Sequence, residues 1–252
     1  WLRDGYMPMS PSEFVLPTGT VEIVIDLRGG ILRVSDSTLP LQFESFHGAV
    51  VCGPHSEPFV IDTSQPADLL GVHFASGGAF PFLGVPLDEL RNHRVSLRDL
   101  WGKAGDSFLE RIPAATSRSE SAQAVQHALL DRMSSGSTLH PAVATALKAL
   151  QGGLGRIGPI KREIGLSSRH FERVFRDQVG LAPKRFSRVR RFQALLSSID
   201  GAQSVDWTAL ALRFGFSDQA HLVHDFREFA GVTPSAYMSK QTDHRNHIPC
   251  DW

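Results

Sequence analysis

The chain has 252 residues, with 26 basic and 26 acidic side chains that cancel to a formal net charge of zero. A hydrophobic fraction of 42% beside 21% charged residues indicates a globular chain rather than a disordered one, long enough for one large domain or two ordinary ones. No apolar run approaches the ~18 residues of a membrane span, no charged-then-apolar leader opens the chain, and the distant pair Cys52 and Cys250 makes neither a disulfide framework nor a zinc ligand set, so a reducing cytoplasm is the expected setting and a membrane is not an expected partner.

Trp1 in place of Met raises the expectation of a trimmed start. Residues 21–27 alternate apolar and polar positions, meet Arg28-Gly29-Gly30, and continue as Ile31-Leu32-Arg33-Val34, which predicts a hairpin. Short apolar runs follow at Ala49-Val50-Val51-Cys52, Phe59-Val60-Ile61 and residues 69–74, with turn residues between them. That spacing predicts a small antiparallel barrel or sandwich over residues 1–105. Helix signals near Leu87, over residues 97–101 and over residues 121–133 make residues 106–138 a helical connector, with the small polar run Ser134-Ser135-Gly136-Ser137-Thr138 as its boundary.

From residue 139 onward the pattern is helical. His140-Pro141 opens a helix that Gly152-Gly153 stops. Charge divides along the same line. Residues 1–135 hold ten basic and sixteen acidic side chains, net −6, whereas residues 136–252 hold sixteen and ten, net +6. Such asymmetry points to a polyanion-binding domain attached to something else, although uneven drift of surface charge would look the same.

An internal repeat is the most informative feature. Gly165-Leu166-Ser167 recurs as Gly215-Phe216-Ser217, and Phe175-Arg176, Gly180, Pro183 and Phe186 recur as Phe226-Arg227, Gly231, Pro234 and Tyr237. Each copy predicts a helix-turn-helix. In the first, Ile160 and Ile164 stripe a short helix, Ser167 or Ser168 caps the next, and Phe171, Val174 and Phe175 are buried while Arg169, Glu172, Arg173 and Arg176 face outward. In the second, Trp207, Leu210 and Leu212 lead to the turn. Asp218 caps a helix that buries Leu222, Phe226 and Phe229 and turns Ala220, His221 and His224 outward. A basic helix over residues 183–197 joins the two units.

With these residues in view, the segment from about 141 to 240 resembles the double helix-turn-helix domain of the AraC/XylS family of bacterial transcription regulators. Gly215-Phe216-Ser217-Asp218-Gln219-Ala220-His221, Phe226-Arg227 and Gly231-Val232-Thr233-Pro234 carry the resemblance most strongly. The amino-terminal segment is similar to the cupin-like domain of some members, through Leu16-Pro17-Thr18-Gly19, Gly53-Pro54-His55 and Leu100-Trp101-Gly102. The resemblance implies an α+β multidomain chain: a β-rich cupin-like barrel, a connector, an all-α domain of two helix-turn-helix units over 139–240, and a tail over 241–252. It implies sequence-specific double-stranded DNA as partner, with RNA polymerase, a small-molecule effector and a second copy of the chain as further candidates.

Reading helices enter the major groove and meet base edges, while flanking cations hold phosphates. Arg173 stands where the family commonly places a base-contacting arginine, and its fork can meet guanine O6 and N7 together. An internal ion pair from Arg173 to Asp177 is the alternative. Arg169, Glu172 and Arg176 share that face, and Glu172 can accept from cytosine N4. In the second unit Gln219, Ala220, His221 and His224 hold the corresponding edge. His224 departs from the family's usual arginine, and His221 fits a capping role as well as a reading one. Arg188 and Arg191 of the joining helix are expected at phosphates, or else in ion pairs with Glu163 or Asp177.

In the amino-terminal domain His47, Cys52 and His73 are candidate polar liners of an effector pocket, beside Val24, Val50, Val72 and Phe74. The alternative is a domain used only for dimerisation or partner binding. An enzyme is not expected. Metal-dependent cupin oxygenases need closely spaced histidines, and His47 and His55 are eight residues apart with no His-x-His. Two distant cysteines cannot form the metal-held cluster of a DNA-alkyl-repair protein. His244, His247 and Cys250 suggest a metal clip, but a disordered terminal tail is the expectation. No cofactor or metal follows.

Overall fold

The structure is a computed structural model that describes residues 1–250 apart from 7, 9, 37–41, 113, 114, 116, 134–137, 154, 156–164 and 243. The expected stripe of Ile160 and Ile164, the acidic group of Glu163 and the boundary at Ser134-Ser135-Gly136-Ser137 lie outside the described residues.

Residues 1–96, completed by a strand from residues 247–249, build a sandwich of two five-stranded antiparallel sheets. The first runs in the order β1 (Leu2–Tyr6), β8 (Ala67–His73), β3 (Glu22–Asp26), β6 (Ala49–Cys52) and β9 (Arg94–Ser96). The second runs β10 (His247–Pro249), β2 (Ser12–Val15), β7 (Phe59–Asp62), β4 (Ile31–Asp36) and β5 (Glu44–His47). The predicted hairpin over residues 21–34 does not form. β3 pairs with β6 and β8, whereas β4 pairs with β5 and β7, so Arg28-Gly29-Gly30 turns a corner between sheets. The hydrogen bonds explain the difference. The Asp26 carboxylate accepts the Arg28 amide at 2.7 Å, the Asp26 amide donates to Gly48 O at 2.8 Å, and the Gly48 amide donates to Gly30 O at 2.9 Å. The chain thus bonds to Gly48 and not across a two-strand turn.

Alternation along the strands gives the first sheet two buried faces. Val24, Val50 and Cys52 meet Val34, Phe46 and Phe59 of the second sheet. Ile23, Ile25, Ala49, Val51 and Leu70 meet a helical layer of α1 (Phe80–Leu83), α2 (Leu97–Trp101), α3 (Lys103–Arg111) and α4 (Arg118–Arg132). Leu83, Leu97, Phe108 and Leu109 fill this second core, each full burial being worth ~1.5–3 kcal/mol. The helices of the expected connector therefore pack on the sandwich itself.

The helical half contains α5 (Pro141–Leu150), α6 (Ser168–Val179), α7 (Pro183–Ile199), α8 (Trp207–Arg213), α9 (Gln219–Ala230) and α10 (Pro234–Ser239). The sequence repeat is visible in its caps. Ser167 accepts the His170 amide at 3.3 Å and Asp218 accepts the His221 amide at 2.7 Å, each supplying the acceptor a helix start lacks. Gly180 at φ 85° and Gly231 at φ 72° end the following helices in the left-handed conformation that glycine tolerates best. Pro183 and Pro234 then open the next helices. Phe171, Phe175, Phe186, Phe192, Leu222, Phe226, Phe229 and Tyr237 form one buried core. Leu212, by contrast, is 70% exposed.

The two halves are docked. Leu16 joins the helical core, Gln193 donates to Pro17 O at 2.9 Å, and Arg185 donates to Ser56 O at 2.6 Å. A Cβ on Gly180 would stand 2.4 Å from Pro54 Cγ, so glycine lets the end of α6 seat on this loop. The tail is not disordered over residues 244–250. β10 pairs with β2 in the register His247↔Val15, Ile248↔Phe14 and Pro249↔Glu13. Ile248 is fully buried in the helical core, and the Tyr237 hydroxyl donates to Arg245 O at 2.7 Å. Burying Ile248 and completing the sheet edge offset the ordering entropy that leaves most termini loose.

Candidate nucleic-acid interface

α6 buries Phe171, Phe175, Gln178 and Val179. Its opposite face exposes Arg169, Arg173 and Arg176, with Glu172 half-buried between them. The i, i+3, i+4 spacing places Arg169, Arg173 and Arg176 on one stripe. Phe171, Phe175 and Val179 behind this stripe fix the helix, so the guanidinium groups project from a rigid support. At this first unit, residue type and exposure match what a major-groove reading helix requires.

α9 presents the second face. A shallow concavity along it is lined by Gln219, Ala220, Val223, His224, Arg227 and Glu228. The His224 side chain is 77% exposed. His221 is half-buried and engaged: its Nδ1 lies 3.1 Å from Ser217 Oγ, and its ring stands edge-on to Phe216 at 5.3 Å. Gln219 accepts the Thr208 hydroxyl at 3.0 Å, which ties α8 to the start of α9. Arg227 was not singled out as a site residue. The repeat could have supplied it, because it is the counterpart of Arg176.

Behind α9 lies an ion network that the sequence does not show. Asp225 is buried on the inner side of the helix. Arg188 NH2 donates to it at 2.8 Å and Arg191 NH2 at 2.8 Å. Glu228 is ion-paired with Arg185 and Arg188. Arg191 also lies over the Phe216 ring at 4.1 Å, and Arg185 over Phe229 at 4.6 Å. Burial pushes the Asp225 carboxyl up, but hydrogen bonds and charge from Arg188 and then Arg191 outweigh it and hold it below the ordinary range. Glu228 is lowered for the same reasons, by Arg188 and Arg185 against its own burial. Burial likewise opposes the charge of Arg188, and its two carboxylate partners more than restore it. The structure thus turns Arg188 and Arg191 toward α9. Among the described residues their carboxylate partners are Asp225 and Glu228, neither of them one of the Glu163 or Asp177 partners expected from sequence.

His224, Asp225 and Glu228 bring three ligating atoms within 4.8 Å of one another. Three arginines already neutralise the two carboxylates, and a metal cation there would meet like charge.

In the sandwich Cys52 faces the interior, and burial pushes its thiol up to about 12. His47 does not line that interior, because strand alternation turns Phe46 inward and leaves His47 exposed on β5. His73 is exposed at the end of β8, with Nε2 3.3 Å from Thr20 Oγ1. Val24 and Val50 lie between the sheets, whereas Val72 and Phe74 pack against the helical layer.

Two exposed helix faces, on α6 and α9, are backed by a single core and joined by a 17-residue helix. Residues 160–240 match a family model described as a helix-turn-helix domain, and residues 1–96 match one described as a domain of unknown function. No curated protein matches the sequence. Among solved structures, ToxT from Vibrio cholerae at 1.65 Å is similar in fold, with 11% identity, a TM-score of 0.51, and coverage of 95% of this chain and 97% of that one. Wild-type ToxT from strain SCE256 with a bound unsaturated fatty acid is similar too, with 13% identity, a TM-score of 0.50, and coverage of 97% and 96%.

Proposed function

We propose that α6 and α9 read two successive major grooves on one face of double-stranded DNA, about one helical turn or ~34 Å apart. The observation that carries this reading is the exposed stripe Arg169, Arg173 and Arg176 on a helix whose other side is locked in the core. Arg173 reads a guanine, Arg169 and Arg176 support it or hold phosphate, and Glu172 accepts from cytosine. Gln219, Ala220, His224 and Arg227 form the second reading edge, with His221 tied to the helix start.

The test is selection from a random duplex pool at ~150 mM salt, with wild type and Arg173→Ala side by side. A two-part motif with parts ~10 base pairs apart is expected, and Arg173→Ala should blur one part by ~1–3 kcal/mol. Binding that is unselective and vanishes with salt would overturn sequence-specific reading.

The sandwich is proposed as the sensing domain for a small-molecule effector, and the cytoplasm as the place of action. The ToxT structure that holds an unsaturated fatty acid shares this fold. A pocket ligand at a hundred times its Kd adds ~2.7 kcal/mol of stability, which thermal shift over a ligand library detects. The second reading gives this half to dimerisation or partner binding. In its favour, Trp1, Leu2 and Leu130 are exposed at the rim of an apolar cleft between β1, β8 and α4. A concentration-dependent mass by light scattering with no ligand response would favour it. RNA polymerase belongs to the proposal as the downstream partner.

A further inference from the structure

Residues 53–58 carry the chain from β6 in the first sheet to β7 in the second, so any change in sheet spacing moves this connection. It is tightly held. The Gly53 amide donates to His93 O at 2.9 Å, and a Cβ on Gly53 would stand 1.7 Å from Leu90 O. Asn92, left-handed at φ 57°, accepts the Ser56 amide on its side-chain oxygen at 2.8 Å and donates its own amide to Pro54 O at 3.3 Å. His55 is buried inside the connection, its ring 4.5 Å from Phe59. The Ser56 carbonyl points to the helical half, where Arg185 NH2 donates to it at 2.6 Å. NH1 of the same guanidinium is ion-paired with Glu228 on α9.

We propose that Arg185 is a positioning residue that makes reading by α9 depend on the state of the connection between the two sheets. The inference rests on α9 being a DNA-reading helix. A guanidinium is planar, and its two NH2 groups keep a fixed separation with no rotatable bond between them. A displacement of Ser56 O therefore pulls on the same fork that holds Glu228. Glu228 lies one helical turn from His224 and next to Arg227, two of the exposed groups of that reading edge. α6 meets the same loop differently: Gly180, at its far end from Arg169, packs on the apolar Pro54 ring. Reading by α6 should not feel the connection in this way.

The experiment uses the full chain and the two-part duplex selected by wild type, plus duplexes with either part scrambled. The part blurred by Arg173→Ala belongs to α6, and the other to α9. Arg185→Met should cut discrimination at the α9 part about tenfold and leave the α6 part unchanged, as loss of charge-assisted bonds predicts. Arg185→Lys, which cannot hold two partners with one fork, should fall between. Asn92→Gly keeps the left-handed backbone, removes the acceptor that holds Ser56 and lies on neither reading helix. It should reproduce the loss at the α9 part, and the double variant should lose no more than either single one. Because both parts are read by the same folded molecules, their ratio is independent of the folded fraction. Equal loss at both parts, no loss at either, or an Asn92→Gly variant that reads the α9 part as wild type does would overturn the proposal. A wild type that selects no two-part duplex would instead overturn the DNA-reading assignment on which it rests.

Discussion

Asp225→Ala should destabilise the helical half strongly, because it removes a buried acceptor shared by Arg188 and Arg191. Deleting one partner of a buried ion pair costs ~3–5 kcal/mol when the other is left uncompensated. Here Arg188 keeps Glu228, and the Arg188 and Arg191 side chains remain 26% and 18% exposed, so water relieves part of the loss. A cost of about 2–3 kcal/mol follows, read as a fall in Tm of roughly 5–10 °C for a chain of this size. Urea unfolding and melting of wild type, Asp225→Ala and Asp225→Asn are the assays. The dependence on pH gives an independent check. The folded Asp225 carboxyl lies below its unfolded value of about 3.9, so its stabilisation is fully present above that value and is lost as pH falls through the folded one. Wild type should lose more stability than Asp225→Asn between about pH 5 and pH 3. A change under ~0.5 kcal/mol for Asp225→Ala would place it among ordinary surface substitutions and refute the reasoning.

Three further outcomes follow from the geometry. Gly180→Ala forces a side chain into a left-handed position with its Cβ 2.4 Å from Pro54 Cγ and 2.8 Å from Leu87 O, and should cost about 2–4 kcal/mol by chemical denaturation. Ile248→Ala empties a fully buried site shared by the tail and the helical core and should cost about 2–5 kcal/mol, whereas a tail without a structural role would tolerate it at wild-type Tm. His224→Arg adds a permanent charge at an exposed position that the proposal sets against DNA, so DNA affinity should rise and the slope of log K against log salt should steepen by about one; an unchanged slope would place residue 224 away from the phosphates.

What the sequence makes legible here is whatever is local. The helical units could be seen because Gly180 and Gly231 must adopt left-handed backbone, Ser167 and Asp218 must cap, and hydrophobic spacing must follow the helical period. The same logic exposed Arg169, Arg173 and Arg176. It failed where the deciding partner is far along the chain. Residues 21–34 carry every local sign of a hairpin, yet β3 finds its neighbours in β6 and β8, and Gly48 takes the turn's hydrogen bonds. Arg188 and Arg191 look like free cations on a basic helix until Asp225 closes on them from 37 and 34 residues away. The terminal histidines look like a loose tail because nothing near them reveals β2 as their strand partner. His47 was placed inside from residue type alone, and the period-two alternation set by Phe46 turns it out.

The pairing of β10 with β2 also has a consequence for biosynthesis. Glu13 and His247, joined at 2.7 Å in the finished molecule, are separated by 234 residues of chain. At typical elongation rates of 5–20 residues per second, β2 waits on the order of ten to fifty seconds for the strand that covers its outer edge. Throughout that interval the nascent sandwich presents an unpaired row of amides and carbonyls, beside Leu16, whose cover in the helical core has yet to be made. The helical half therefore acts on the sandwich as an in-built chaperone delivered late, and a chain stalled before residue 247 is the form most exposed to edge-to-edge association.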